Sequence, residues 1–106
     1  MGKPLDPTHD HHLSLKAASE LARRHRQDGA HRAGDSGAFN SKPVMELLSQ
    51  PGCVGVRIYR GRGAAGESAL ILVGVDAKGN DLTEGVLLDG HLPCPPWCSD
   101  DNALNR

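Results

Sequence analysis

Seven consecutive residues, Ala69-Leu70-Ile71-Leu72-Val73-Gly74-Val75, are apolar or glycine. A strand facing water on one side alternates apolar with polar residues. A run with no polar position therefore predicts a strand covered on both faces and central in its sheet. Asp76-Ala77-Lys78-Gly79-Asn80-Asp81 follows as a strong turn signal, and Gly85 to Leu88 supplies a shorter strand beyond it. Ahead of the run, Val54, Val56 and Ile58 alternate with Gly55, Arg57 and Tyr59, the period of a strand with one buried face. The three strands read as an antiparallel meander, with the glycine-rich stretch Gly61 to Ser68 joining the first two.

Two helices are expected before the meander. Ser14 is a suitable cap, Leu15, Ala18, Leu21 and Ala22 fall on one face, and Arg23, Arg24 and Arg26 complement the dipole of the last turn. Helix is predicted over 14–28, with Gly29 able to end it. The second helix is capped by Asn40 or Ser41, carries Pro43 in its first turn and Val44, Leu47 and Leu48 on one side, and stops at Pro51-Gly52. The predicted fold class is α+β: two N-terminal helices packed on a small three-stranded antiparallel meander, with a Pro/Cys-rich C-terminal segment. Residues 1–13 read as a flexible His-rich tail, 14–98 as one domain with 29–41 as a linker within it, and 99–106 as a polar C-terminal tail.

Composition sets limits on this fold. In 106 residues Phe39, Tyr59 and Trp97 are the only aromatics, so a small core must be made from Val, Leu, Ile and Ala. A chain of this size buries about two-thirds of the surface it exposes when unfolded. A homo-oligomer or a protein partner is accordingly expected to supply further cover. The apolar run is too short to span a bilayer, and the polar start Met1-Gly2-Lys3-Pro4-Leu5-Asp6 is not a secretory signal, so no membrane association and a cytoplasmic location are expected. Net charge is −1, yet residues 1–66 carry ten Lys/Arg against six Asp/Glu while 67–106 carry two against seven. Head-to-tail assembly would suit that asymmetry.

The chemistry-bearing stretch is Cys94-Pro95-Pro96-Trp97-Cys98, with His91 three residues upstream and Cys53 at the mouth of the first strand. His91, Cys94, Cys98 and Cys53 would make a Cys3His set, the closed tetrahedral donor set of a structural zinc, with iron as the other candidate ion. The spacing between the two C-terminal cysteines is one residue longer than C-x-x-C, and a thiol–disulfide redox role for Cys94 and Cys98 is the alternative. In the third reading the cysteines only pack, Cys53 as a small apolar residue.

Other patterns carry less. Gly61-Arg62-Gly63-Ala64-Ala65-Gly66 has the letters of a dinucleotide loop but leads into a strand, not the helix whose amides would hold the phosphates. Arg57, Arg60 and Arg62 lack the stacking aromatics of a single-strand binder, so nucleic acid is not an expected partner. Asp76 to Leu87 departs from a calcium loop at its third, sixth and twelfth positions. His9, His11 and His12 would chelate only weakly in a tail, and no G-x-S-x-G elbow or placed carboxylate pair points to catalysis.

Gln50-Pro51-Gly52-Cys53-Val54-Gly55-Val56-Arg57-Ile58-Tyr59, then Val73-Gly74-Val75-Asp76 with Gly79-Asn80-Asp81, then Cys94-Pro95-Pro96-Trp97-Cys98, resembles a group of small, uncharacterised bacterial proteins. The resemblance covers residues 40 to about 104, and His91 lies outside its motifs. It implies a stand-alone bacterial domain whose cysteines recur in those places, with no activity attached. The expected function is a small non-enzymatic binding or self-association domain with a cysteine cluster at Cys53, Cys94 and Cys98. The alternatives are a redox protein or sensor and a homo-oligomeric assembly subunit.

Overall fold

The computed structural model describes residues 2–28 and 36–105. Its elements run α1 (Leu15–Gln27), β1 (Ser36–Ala38), α2 (Ser41–Leu48), β2 (Gly55–Arg62), β3 (Ser68–Val75), β4 (Leu87–Leu88) and β5 (Leu92–Cys94). The molecule is mixed helix and strand, with two helices and a three-stranded antiparallel sheet in the order β2-β3-β4. A second, two-stranded sheet pairs β1 with β5. Gly29, offered above as the stop of the first helix, and linker residues 30–35 lie outside the described residues.

The chain divides into two units, one of residues 2–7 with 38–92, the other of residues 8–28 and 36–37 with 93–105. In the first, β2 and β3 pair along their full lengths, from Gly55 opposite Val75 to Arg62 opposite Ser68, and β4 adds Leu88 opposite Leu72 and Leu87 opposite Val73. β3 is thus the central strand, as its unbroken apolar run requires. Helix α2 lies against β3 and β4. Leu47 on α2 and Leu72, Val73 and Val75 on β3 are the buried hydrophobic side chains among the described residues.

Local chemistry explains how the chain leaves β3. In the turn after it, Asp76 Oδ1 accepts from the backbone amides of Lys78 and Asn80, both at 2.9 Å, and Gly79 adopts φ +84°, a conformation few other residues take without strain. Gln50 then ties α2 to the approach to β4. Its Nε2 donates to Leu47 O and its Oε1 accepts from Val86 N, each at 2.7 Å, across 36 residues of sequence in the second case.

The second unit is built on α1. Ser14 caps it through Oγ, which accepts from Ala17 N at 3.0 Å, and Glu20 bonds Arg23 at 2.6 Å on the exposed face. Arg26 in the last turn donates from Nη1 to Leu104 O at 2.8 Å, so the C-terminal residues read as a polar tail contribute an acceptor to the helix.

Candidate functional site

The C-terminal segment holds two of the three cysteines, Cys94 and Cys98. Pro93 O accepts from Trp97 N at 2.9 Å, closing a turn that brings Cys94 and Cys98 together as a disulfide, with a Cα–Cα separation of 4.8 Å. Cys94 is half-buried, while Cys98 and Trp97 are exposed. Cys53, in the other unit, is a free half-buried thiol whose Sγ donates to Gly55 O at 3.2 Å. His91 belongs to the same unit as Cys53, its ring centroid 6.3 Å from that of Phe39.

Of the four residues assigned above to a metal set, Cys94 and Cys98 are therefore joined to each other. Disulfide sulfurs carry no thiolate charge, and thiolates are what zinc or iron binds, so that set requires the pair to be reduced. No group of three His, Cys, Asp or Glu suited to holding a metal occurs among the described residues. The Cys94–Cys98 ring is short. In the chain-entropy account it is worth about 2 kcal/mol. Cys98→Ser is expected to lower the stability of the unit containing α1 by about that much, read as a shifted urea midpoint that dithiothreitol reproduces in the parent chain.

The second candidate is β2 itself. Strand order leaves it at an edge of the sheet, eight residues long, with β3 on one side only. Val56 is 42% exposed and Ile58 60% exposed, and Val54 just before the strand is 58% exposed. The alternation anticipated from the sequence is there, but the apolar face on this strand is the open one. Val56 stands opposite Gly74, which offers it no side chain, and Ile58 stands opposite the buried Leu72, which in turn faces Leu88. Directly opposed residues share a face, so Ile58, Leu72 and Leu88 form one apolar row across the sheet that ends in solvent at Ile58.

The intervening residues of β2 carry a polar network. Arg57 Nη1 donates to Asp81 Oδ1 at 2.6 Å and to Gly79 O at 3.3 Å, and Tyr59 OH donates to Asp81 Oδ2. The bond from Tyr59 first, and then the bond and charge of Arg57, hold the Asp81 carboxyl below the usual carboxylate range. The bond to Asp81 in turn pushes the Tyr59 phenol up. The sequence reading did not find this trio, whose members lie 22 and 24 residues apart; only the β2–β3 register and the following turn bring Asp81 under β2.

A pH window follows. Asp81 titrates lower in the folded chain than unfolded, so its contribution is present above the ordinary carboxylate range and is lost as pH falls through the lowered value. Tyr59 titrates higher when folded, so its contribution is present below the ordinary phenol range and is lost as pH rises through the raised value. Stability measured by denaturant titration across pH is expected to be level between the two, with Asp81→Asn flattening the acid limb and Tyr59→Phe the alkaline one.

No family model, curated protein or solved structure matches this chain. No helix among the described residues is long and apolar enough to cross a membrane.

Proposed function

We propose that this chain is a small non-enzymatic domain that works by self-association through the open edge of β2. The observation that carries the reading is the exposure of Val56 and Ile58 on an eight-residue edge strand. Edge strands present a row of unpaired backbone donors and acceptors, and monomeric proteins blunt them with charge, proline or a covering segment. β2 carries three such charges, Arg57, Arg60 and Arg62, but it has no proline and shows aliphatic side chains on one face. Burial in the same unit points the same way, since its core rests on Leu47, Leu72, Val73 and Val75 while Val54, Val56 and Ile58 remain uncovered. Domains with so small a core commonly complete it by oligomerising.

Light scattering over a concentration series tests this. The wild type is expected to exceed the 11.2 kDa of one chain as concentration rises. Ile58→Lys is expected to raise the dissociation constant by roughly tenfold or more, because full burial of an Ile side chain is worth about 1.5–3 kcal/mol. A wild type that stays at the mass of one chain throughout rejects the reading.

A second reading, thiol–disulfide exchange, has one observation in its favour: the exposed Cys98 bonded to Cys94. A dithiol reductant would open that bond by thiolate attack on one sulfur, releasing the other as a thiolate and leaving a mixed disulfide that its own second thiol resolves. Catalysed reduction of a disulfide substrate, lost in Cys98→Ser, is the result that would favour it; thiols that reduce but do not turn over count against it.

A further inference from the structure

His9-Asp10-His11-His12 belongs to the unit built on α1 and lies just ahead of the Ser14 cap, with all four side chains exposed. Alternate residues of an extended chain point to the same side about 6.5–7 Å apart, too far for their rings to share an ion without turning toward each other. The rings of His9 and His11 have made that turn. Their centroids are 4.4 Å apart and their planes stand at 86°. Two imidazoles on adjacent positions of one metal ion, at metal–nitrogen bonds of about 2.0–2.1 Å, bring their centroids to roughly 4.5–5 Å. The pair stands just inside that spacing.

Asp10 and His12 are engaged with each other. Asp10 Oδ1 accepts from the backbone amide of His12 at 3.0 Å and from its ring Nδ1 at 2.5 Å. A carboxylate can only accept, so His12 carries a proton on Nδ1. The amide bond closes an Asx turn, which sets the direction of the chain between the two outer histidines. We propose that His9 and His11 together bind one divalent transition-metal ion of the class that prefers imidazole, nickel, copper or zinc, with water in its remaining positions.

The donor chemistry selects the ion. Imidazole nitrogen suits nickel, copper and zinc, whereas magnesium and calcium demand oxygen ligands that this pair does not offer. Two protein ligands make an open site, in contrast to a closed structural set, and no group of three metal-binding side chains occurs among the described residues. Electrostatics act in both directions. The positive end of the α1 dipole begins at Leu15 and opposes a cation, but the effect falls off within a turn, and the Asp10 carboxylate lies between the two ligands in sequence. Exposure removes any cost of stripping water from buried ligands. The site is independent of the self-association reading, because its residues and those of β2 belong to different units.

Nickel(II) chloride titrated into the full chain tests this, in a slightly alkaline, non-coordinating buffer and a Cys53→Ser background that removes the free thiol as a competing ligand. Calorimetry is expected to show one nickel per chain. His9→Ala and His11→Ala should each weaken binding at least tenfold or so, the least that loss of even an outer-shell partner typically costs. His12→Ala should weaken it less than either, and His91→Ala, in the other unit, should leave it unchanged. In proton NMR, paramagnetic nickel added below one equivalent should broaden the ring signals of His9 and His11 before those of the other histidines. Equal losses in the His9, His11 and His12 variants would mean chelation spread along the tail, and they overturn the paired site. Unchanged affinity in His9→Ala, or displacement of nickel by an equal concentration of magnesium, overturns it too. The substituted side chains are exposed, so an unchanged circular dichroism spectrum is expected of every tail variant, and a lost affinity then reports the ligand and not the fold.

Discussion

Leu47→Ala is expected to cost about 2–5 kcal/mol of folding stability, the range for removing a large aliphatic side chain from a core that cannot collapse around the gap. Leu47 has no solvent exposure, and it is the α2 residue buried where that helix lies against β3 and β4. The remaining buried hydrophobics of the sheet, Leu72, Val73 and Val75, are all on β3, so the helix side of the core depends on this one side chain. Against a typical total of about 5–15 kcal/mol for a natural domain, the loss would leave the unit marginal or unfolded. Urea unfolding followed by circular dichroism checks it. Leu48→Ala, on the same turn but exposed, is the matched control and is expected within about 0.5 kcal/mol of wild type.

Features that depend on neighbours in sequence were legible. Helix α1 begins at its Ser14 cap, α2 follows Asn40, and the Asp76–Asn80 turn closes through an Asp side chain two and four residues from the amides it accepts. The central place of β3 was legible for another reason, since an apolar run on both faces excludes an edge. β1 and β5 were not, because three residues are too few to show a period. The apolar face of β2 was found, but its cover was not. Periodicity reports which residues share a face, whereas cover depends on what the neighbouring strand carries, and Gly74 opposite Val56 carries nothing. At the candidate site the closeness of Cys94 and Cys98 follows from a four-residue spacing and a proline-bounded turn. The trio of Arg57, Tyr59 and Asp81, and the two bonds of Gln50, depend on register between distant segments, and no local pattern announces them.

Gly74→Val sets two physical effects against each other, and packing is expected to win. β-branched residues favour strands, by a margin that spans about 1 kcal/mol, so propensity alone predicts a gain at the centre of β3. The space decides otherwise. A Cβ at position 74 would lie 2.9 Å from Gln50 Nε2, 3.0 Å from Cys53 Sγ and 3.2 Å from Leu82 Cδ1. Cys53 and Leu82 can shift only within a half-buried surround, and Gln50 is held at both ends of its amide by Leu47 O and Val86 N. Overpacking costs about 1–3 kcal/mol, and a displaced Gln50 would leave the Val86 amide without its acceptor, at a further 1–3 kcal/mol or so if water cannot replace it. The expected result is a net loss in urea unfolding, with Gly74→Ala falling between wild type and Gly74→Val. A double-mutant cycle identifies the cause. In a Gln50→Ala background the same valine should cost less, with a coupling of about 0.5–3 kcal/mol, because the group it collides with is gone and its hydrogen bonds are already lost. Additive losses would instead assign the penalty to Cys53 and Leu82.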